Sequence, residues 1–378
     1  MDNLTHSLVG LAAAKAGLER VSPYATLICV AAANLPDIDI VTLAEGPAAY
    51  LANHRGITHS LAGALALALA LPVLFVVGER LFARLRGRKP RARFKGLLIC
   101  SLLLVASHPL LDWTNSYGLR PFLPWDGRWV YGDLLYIIDP WIWLTLGGAC
   151  FLLTARTRPR AAAWAALACV LSLLFVLFQR RPAAGPPIVA LAVWFGGLAL
   201  FFALHLSSLA KRGGERVAVV SLALVALYCC ALALFHRAAL EDARRAAQGL
   251  AASGGERVLR VAATPALTDP LAWRCLAETD RATFRFDLTL GERDAAENPR
   301  GLLRVEKPEG AERALVERAS ADERARVLLG FARFPVARVL PQQDGAALVR
   351  FADLRFTEPG ARARPGGFAL DVPVPTGR

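Results

Sequence analysis

Residues 58–78 read THSLAGALALALALPVLFVVG, an apolar run that matches the ~20 residues with which an α-helix crosses a bilayer. Five further runs of this kind occupy residues 96–113, 137–154, 162–178, 188–206 and 217–235. Two shorter apolar stretches, 4–18 and 24–35, are predicted to be half-length, tilted or re-entrant helices. The pattern predicts a mainly α protein, a polytopic helical membrane bundle of six full spans plus two short N-terminal helices.

The composition agrees with a membrane location. The chain has 378 residues, of which 55% are hydrophobic, and this is too apolar for an ordinary soluble protein. The net charge of +13 would suggest nucleic acid as the partner of a soluble protein, but much of it lies in short loops between the apolar runs. We therefore expect membrane lipid as a partner and no nucleic acid. The seven cysteines form no CxxC motif and no disulfide framework.

Basic residues in the loops predict the orientation of the spans. The loop 79–95 holds eight arginines and lysines, and the loops after Thr154 and Leu206 hold three each. The loops on the opposite side carry only Arg120, Arg128, Arg180 and Arg181. Because cytoplasmic loops are enriched in Lys and Arg, the first group should face the cytoplasm. The second group, together with the histidine motifs described below, should face outward.

A change in composition near residue 238 predicts a second domain. Residues 1–237 form the predicted membrane-embedded domain, whereas residues 238–378 are charged, rich in Gly and Pro, and alternate in polarity. The second part is predicted to be a smaller soluble α+β domain on the outer side, with a helix at 311–331. The stretch 237–255, rich in Ala and Arg, is predicted to be a linker or a connecting helix.

Histidines and carboxylates cluster within residues 1–143. Ionisable groups at membrane depth are costly and mark functional sites, and imidazole with carboxylate is a ligand set of zinc and related divalent metals. His108 and Asp112 are four residues apart, so a helix places both on one face. They could bind one metal ion, or they could only hydrogen-bond each other. The other candidates are His6, Asp37, Asp39, His54, His59, Asp133 and Asp139.

The motifs HRGITHS (54–60) and NLPDID (34–39) add further candidates. His54 is predicted to lie in a loop, and His59 in the first turn of a helix that Thr58 caps. Arg55 has the planar fork that grips phosphate or carboxylate, although a lone Arg can also anchor to lipid headgroups. One carboxylate of NLPDID could bind metal while the other orients a ligand, or both could simply form a turn.

At these residues the chain resembles a known family. The segments NLTHS, LPDID, HRGITHS, SHPLLDWTNSYGLRPFLPWDGRW and IIDPW, within residues 1–143, resemble the membrane-bound, metal-dependent hydrolases described as LexA-regulated inner-membrane proteins. The resemblance implies a multi-pass protein of the bacterial inner membrane and a metal-dependent hydrolase. More distantly, the order of motifs is similar to zinc-dependent phospholipase C and the single-strand nucleases that share its helical fold. That likeness implies as metal ligands His6, Asp37 or Asp39, His54 or His59, His108 and Asp112.

Two departures from the distant pattern limit the number of ions. The chain has no N-terminal Trp to supply an amino-group ligand, and no second H-x-x-x-E or H-x-x-x-D pair follows His108. One or two divalent ions, with zinc favoured, are therefore expected in place of three, and Asp133 or Asp139 could fill a gap in the ligand set.

The first functional hypothesis is an enzyme that hydrolyses an ester or phosphodiester of a lipid or lipid-linked substrate at the outer face of the membrane. The metal would activate water, Arg55 would stabilise developing charge, and Asp39 or Asp133 would act as general base. One alternative is a transporter or metal sensor in which the same residues carry ions or protons. Another is a non-catalytic assembly factor in which the metal only fixes the fold.

Overall fold

The computed structural model describes residues 1–178, 187–207, 213–292, 296–297, 299–341, 346–360 and 367–375. Arg180, Arg181, Lys211 and Arg212, which contributed to the predicted orientation, lie outside the described residues. The chain forms two compact units. The helical unit comprises Met1–Ile38, Arg55–Leu234 and Pro265–Pro270, and the tail unit comprises Asp39–His54, Phe235–Thr264 and Leu271–Arg378. Each unit is made of three chain segments, and the predicted domain boundary near residue 237 stays a prediction.

Nine α-helices precede the first strand in the described part of the chain. They are α1 (Asn3–Lys15), α2 (Ala25–Asn34), α3 (Pro47–Asn53), α4 (Leu61–Leu85), α5 (Phe94–Trp113), α6 (Pro140–Thr154), α7 (Arg158–Phe178), α8 (Pro187–Leu206) and α9 (Glu215–Gly254). Short 3₁₀ segments join several of them, at Leu18–Arg20, Leu35–Glu45 and Ile57–His59.

Six segments of the described chain are long and apolar enough to cross a membrane, which confirms the predicted fold class. They are Ala25–Glu45, Leu61–Leu85, Phe94–Trp113, Arg158–Phe178, Ile188–Leu206 and Glu215–Gly254. Five correspond to predicted spans, but the set differs at two places. The run 137–154 yields only the 15-residue α6, and the stretch 24–35 continues as a 3₁₀ segment to Glu45.

Local chemistry explains both differences. Proline is favoured at the first position of a helix, and Asp is favoured as the cap before it. Helix α6 therefore begins at Pro140 with Asp139 as its N-cap, and the three residues before Pro140 are not part of the helix. At the other site, α2 ends at Asn34, two residues before Pro36, which has no N–H to donate to a carbonyl of the preceding turn. From Leu35 the chain continues as a 3₁₀ helix, which ends at Glu45.

Small residues allow α1, α2, α4 and α5 to pack closely in the helical unit. A Cβ at Gly10 in α1 would lie 2.7 Å from the carbonyl oxygen of Cys29 in α2, so the two backbones are in near contact. Ser101 in α5 donates to the carbonyl of Ala68 in α4 at 2.8 Å. Close approach over small residues with interhelical hydrogen bonds is typical of membrane helices. The shared core contains Ala14, Ala25, Ile28, Cys29, Ala32, Ala33, Ala64, Ala68, Leu97 and Leu104.

The tail unit contains two antiparallel sheets. Strands β1 (Val258–Pro265), β2 (Ala272–Thr279), β3 (Ala282–Thr289) and β4 (Arg300–Glu306) lie in that order in one sheet. Strands β5 (Pro335–Pro341), β6 (Ala346–Asp353) and β7 (Ala369–Pro375) form the other. Alternation in β3 places Phe284, Phe286 and Leu288 in the core. This small β-sheet domain after the helices also agrees with the predicted fold class.

Helices complete the tail unit. Helix α9 is continuous over 40 residues, so the stretch 237–255, predicted to be a linker or a connecting helix, is helical up to Gly254. Its residues Ala239, Ala243, Ala246 and Ala247 are buried against the first sheet, where Trp273 contributes to the same core. The predicted helix 311–331 is two helices, α10 (Gly310–Ala319) and α11 (Glu323–Phe331), because Asp322 caps the second one by accepting from the amides of Arg324 and Ala325.

Candidate metal centre

Four side chains from three segments of the helical unit converge in a buried cluster. Asp37 lies in the 3₁₀ segment after α2, His59 ends the 3₁₀ turn before α4, and His108 and Asp112 lie in the last turns of α5. One ligand atom from each of the four lies within 4.8 Å of the other three. We call these four residues the metal-ligand cluster.

The distances within the metal-ligand cluster resemble the edges of one coordination shell. The Nε2 atoms of His59 and His108 are 3.1 Å apart, and each lies 3.4 Å from Asp37 Oδ1. Asp112 Oδ2 lies 3.2 Å from His59 Nε2 and 3.4 Å from His108 Nε2. Zinc ligands sit about 2.0–2.1 Å from the ion in a tetrahedron, which separates them by about 3.3 Å. These five distances therefore match the ligand separations around a single small dication.

Burial and hydrogen bonding also favour a cation at this position. The side chains of His59, His108 and Asp112 are at most 1% exposed, and Asp37 is 15% exposed. Among the described residues, Asp112 Oδ2 has no hydrogen-bond partner, although buried carboxylate oxygens are normally satisfied. Two imidazoles and two carboxylates are a ligand set that zinc accepts. The residues present therefore fit a zinc-like metal.

The imidazole of His108 shows which of its nitrogens faces the cluster. Its Nδ1 lies 2.6 Å from the carbonyl oxygen of Ala33, which can only accept a hydrogen bond. The Nδ1 atom therefore donates, and Nε2 of the neutral ring presents a lone pair to the cluster. His59 Nδ1 lies 3.0 Å from Thr58 Oγ1, and a hydroxyl that accepts from Nδ1–H would leave Nε2 of His59 facing the cluster as well. Two lone pairs held 3.1 Å apart repel each other unless an electrophile or a proton lies between them.

Asp37 and Asp112 have contacts on their outer oxygens. Asn3 donates from Nδ2 to Asp37 Oδ2 at 3.0 Å, and Arg55 approaches Asp112 Oδ1 with Nη2 at 3.0 Å. The amino group of Met1 also contacts Asp112 Oδ1. The Arg55 guanidinium is buried, donates to Asn115 Oδ1 at 2.8 Å and lies 4.8 Å from the centroid of the Tyr117 ring.

The structure places the other predicted ligands around or apart from this cluster. His6 stacks on His108 with ring centroids 3.7 Å apart, and its Nε2 lies 3.4 Å from Asp112 Oδ1. Neither ring nitrogen of His6 has a hydrogen-bond partner among the described residues. In the tail unit, His54 Nδ1 lies 3.0 Å from Asp39 Oδ1, and the ring of Tyr50 stacks on His54. The predicted roles of His6, His54 and Asp39 stay predictions.

The two later carboxylates are both buried but differ in their surroundings. Asp133 lies in the loop between α5 and α6 with a left-handed φ of 55°. Asp139 caps α6, with Oδ1 accepting from the amides of Trp141 and Ile142 and Oδ2 accepting from Tyr228 at 3.2 Å. Burial raises the pKa of Asp139 to about 6, although the donated hydrogen bonds oppose that rise. The predicted base role of Asp133 is untested.

Three contacts of the metal-ligand cluster were not predicted from the sequence. Thr58 was predicted to cap the following helix, but Ser60 is the N-cap, because its hydroxyl accepts from the amide of Gly63. Thr58 instead contacts His59, and Asn3 contacts Asp37. Both residues lie inside the motifs that carry the histidines, so proximity in sequence was the available signal. The Ala33 carbonyl has no side-chain signature and could not have been found.

Comparisons with known proteins support a membrane protein. Residues 1–183 match the family described as YdjM inner membrane protein. A protein of Bacillus subtilis (strain 168), described as "Uncharacterized protein YfhP", is 31% identical over 155 residues, which is 38% of this chain and 44% of that protein. The chain thus spans less than half the length of this curated relative. No solved structure matches the chain.

Together with the six candidate spans, these matches show that the chain is a membrane protein. The metal-ligand cluster lies within the matched residues 1–183. The predicted hydrolase activity and the distant likeness to zinc-dependent phospholipase C stay predictions.

Proposed function

We propose that this membrane protein is a metal-dependent hydrolase that cleaves an ester or phosphodiester of a lipid or lipid-linked molecule at the outer face of the bacterial inner membrane. The observation that carries the proposal is the metal-ligand cluster, in which four ligand atoms from distant segments lie within 4.8 Å of one another in a buried place. Ionisable groups buried in a membrane protein are costly and mark functional sites.

The residues that would hold the ion are Asp37, His59, His108 and Asp112. When bound, a zinc-like ion would lower the pKa of water and polarise the oxygen of an ester or phosphodiester. The two imidazoles offer neutral nitrogen, and the two carboxylates balance the charge. Asp37 is the most exposed of the four, at 15%, so substrate and water would approach from its side. Asp39 and Asp133 stay the proposed candidates for the general base.

The location of the cluster supports a lipid substrate. His59 precedes the first residue of α4 and Asp112 is one residue from the end of α5, so both lie at the same end of two antiparallel spans. A site at the end of membrane helices can meet a lipid headgroup without extracting the lipid. The basic loop 79–95 joins the other ends of the same helices, and a cytoplasmic place for that loop puts the cluster outside.

The same geometry favours a second candidate function, a structural metal. Structural zinc sites are closed by four protein ligands, whereas catalytic zinc keeps one position open for water. Four protein ligands are already available here, so the ion could simply tie α4, α5 and the segment after α2 together. Removal of the ion would then unfold the helical unit, and no hydrolysis would be lost.

Metal analysis with ligand variants tests the proposal. We expect the purified full chain to hold stoichiometric divalent metal and to hydrolyse either bis(p-nitrophenyl) phosphate or a p-nitrophenyl ester. His108→Ala and Asp112→Ala should each weaken metal binding by more than about 100-fold, since even loss of an outer-shell contact costs 10- to 100-fold. His205→Ala is the matched control, because the ring of His205 packs against Phe151, which is not one of the ligands.

The outcomes separate the candidates. Metal retained by both ligand variants would eliminate the site. Metal bound without hydrolysis of either probe, and unfolding of the protein upon chelation, would favour the structural role. A reporter active only outside the cytoplasm should be silent when fused after Arg88, between α4 and α5, and active when fused after Trp125, between α5 and α6. The reverse result would place the cluster on the cytoplasmic face.

A further inference from the structure

The metal-ligand cluster has a second layer of contacts with a regular pattern. Each of the four ligands has two polar side-chain atoms, and in each case one atom faces the other ligands while the second is held by a neighbouring group. The holding groups are the Thr58 hydroxyl, the Ala33 carbonyl, the Asn3 amide and the Arg55 guanidinium. Such outer partners fix the orientation and tautomer of a ligand.

We propose that Thr58 and Arg55 are positioning residues that hold His59 and Asp112 in the geometry that binds the metal, and that Arg55 does not contact substrate. The inference rests on the metal site of the proposed function and assigns the residues that set its affinity and coordination geometry.

Thr58 determines which nitrogen of His59 is available. Its Oγ1 lies 3.0 Å from His59 Nδ1, and an Nδ1–H that donates to this hydroxyl leaves the Nε2 lone pair facing the ligands. Valine at this position would keep the volume and remove the acceptor. The ring could then move its proton to Nε2, where it would block coordination, or rotate away. Serine would keep the acceptor.

A backbone group, the carbonyl of Ala33, orients the ring of His108 in the same way. The Ala33 carbonyl belongs to the last turn of α2, where carbonyls lack a donor four residues on in the same helix. Pro36 lies three residues on and has no N–H to offer. The proline in LPDID therefore leaves this carbonyl without a donor from position 36, and His108 binds it. No side-chain substitution tests this contact directly.

Arg55 acts on Asp112 through a fork. Its Nη2 lies 3.0 Å from Asp112 Oδ1, and its Nη1 donates to Asn115 Oδ1 at 2.8 Å. Asn115 Oδ1 also accepts from the amide of Tyr117, so the fork joins α5 to the following loop. The guanidinium is 2% exposed and its face packs on the Tyr117 ring. A group so enclosed orients the carboxylate and does not reach a substrate that enters from Asp37.

The backbone of Arg55 supports this assignment. Its φ of 56° is in the left-handed region, which non-glycine residues adopt at a cost. Residues with such strained backbones cluster at functional sites. The carbonyl of Arg55 accepts from the amide of Arg120 at 3.2 Å, which helps to keep the residue in this conformation. The strained backbone directs the side chain into the protein, toward Asp112.

Cobalt(II) binding by the purified full chain tests the inference with readouts that do not depend on activity. Cobalt(II) reports its coordination number through its visible absorption, and a competing chromophoric chelator gives its affinity. We expect Thr58→Val to weaken binding by about tenfold and to change the absorption, whereas Thr58→Ser should restore both. Thr26→Val is the matched control, because Thr26 is also in the first turn of a helix and is not a neighbour of the ligands.

Arg55→Lys provides an independent arm. Lysine keeps the positive charge but cannot span Asp112 and Asn115 with one planar group, so a loss of affinity would report geometry and not charge. We expect about tenfold weaker cobalt binding and an altered spectrum. Wild-type affinity and spectra in both Thr58→Val and Arg55→Lys would overturn the inference while leaving the metal site intact. Failure of the wild-type chain to bind cobalt would instead overturn the proposed function.

Discussion

Asp139 is a buried carboxylate with three hydrogen-bond donors and a raised pKa. Its Oδ1 caps α6 and its Oδ2 accepts from Tyr228. Burial raises the pKa of Asp139 to about 6 from its ordinary value of 3.8, so the folded protein binds a proton that the unfolded chain releases. A raised carboxyl pKa means that folding is favoured at low pH, and this contribution is lost as pH rises through about 6.

We therefore predict that the stability of the helical unit falls between pH 4 and pH 6.5, the range in which folded Asp139 keeps a proton that the unfolded chain has released. A pKa rise from 3.8 to about 6 corresponds to at most about 3 kcal/mol. Asp139→Asn should flatten this dependence, because Asn still caps the helix but does not ionise. Unfolding midpoints in detergent at the two pH values give the slope, and an unchanged slope in the variant would contradict the prediction.

At the scale of single residues, the sequence supplied the candidates but could not choose among them. Asp37 or Asp39, and His54 or His59, were left open. The structure brings Asp37 and His59 to the cluster, whereas Asp39 and His54 pair with each other in the tail unit. The choice depends on the 3₁₀ path of Leu35–Glu45 and on the left-handed backbone at Arg55. Both conformations are tertiary outcomes that composition and periodicity do not encode.

At the scale of elements, the contact between α4 and the turn that carries His59 is decisive for the site. Gly63 lies in the first turn of α4, and a Cβ at this position would overlap the carbonyl oxygen of Ile57. The turn Ile57–His59 therefore packs directly on the helix backbone. Any side chain at position 63 must displace this turn and with it the imidazole of His59.

We predict that Gly63→Ala weakens metal binding by at least about tenfold, the range typical for a disturbed ligand orientation. Gly78→Ala is the matched control, because Gly78 lies in the same helix and a Cβ there meets no atom within 4 Å. Alanine also has the higher helix propensity, so the control should fold at least as well. Titration of both variants with cobalt(II) makes the comparison, and equal affinities would show that the turn is not held by this contact.

Elements were predictable where one local signal dominated. Five apolar runs became spans because about 20 apolar residues suffice for a crossing. The remaining run became the short α6 because Asp139 and Pro140 start the helix late, and the helical tail segment 311–331 divided because Asp322 starts a new helix. In these cases capping residues overrode hydropathy and periodicity, and the caps were present in the sequence.

At the scale of the whole molecule, the metal-ligand cluster forms only because segments distant in sequence meet within the helical unit. Asp37 and Asp112 are separated by two spans and a basic loop, yet their oxygens lie in one group of ligand atoms. Hydropathy predicts that the spans exist but not which of them are neighbours. The close packing of α2 on α5 and of α4 on α5, through small residues, is what brings the distant motifs together.

X-ray absorption at the zinc edge, measured on the zinc-loaded full chain, identifies the ligands of the ion. We expect one zinc per chain, with two imidazole nitrogens and two carboxylate oxygens from His59, His108, Asp37 and Asp112 at about 2.0–2.1 Å. The outer-shell scattering typical of two imidazole rings should be present and should fall by half in His108→Ala. A spectrum with sulfur ligands, or one without imidazole scattering, would contradict this expectation.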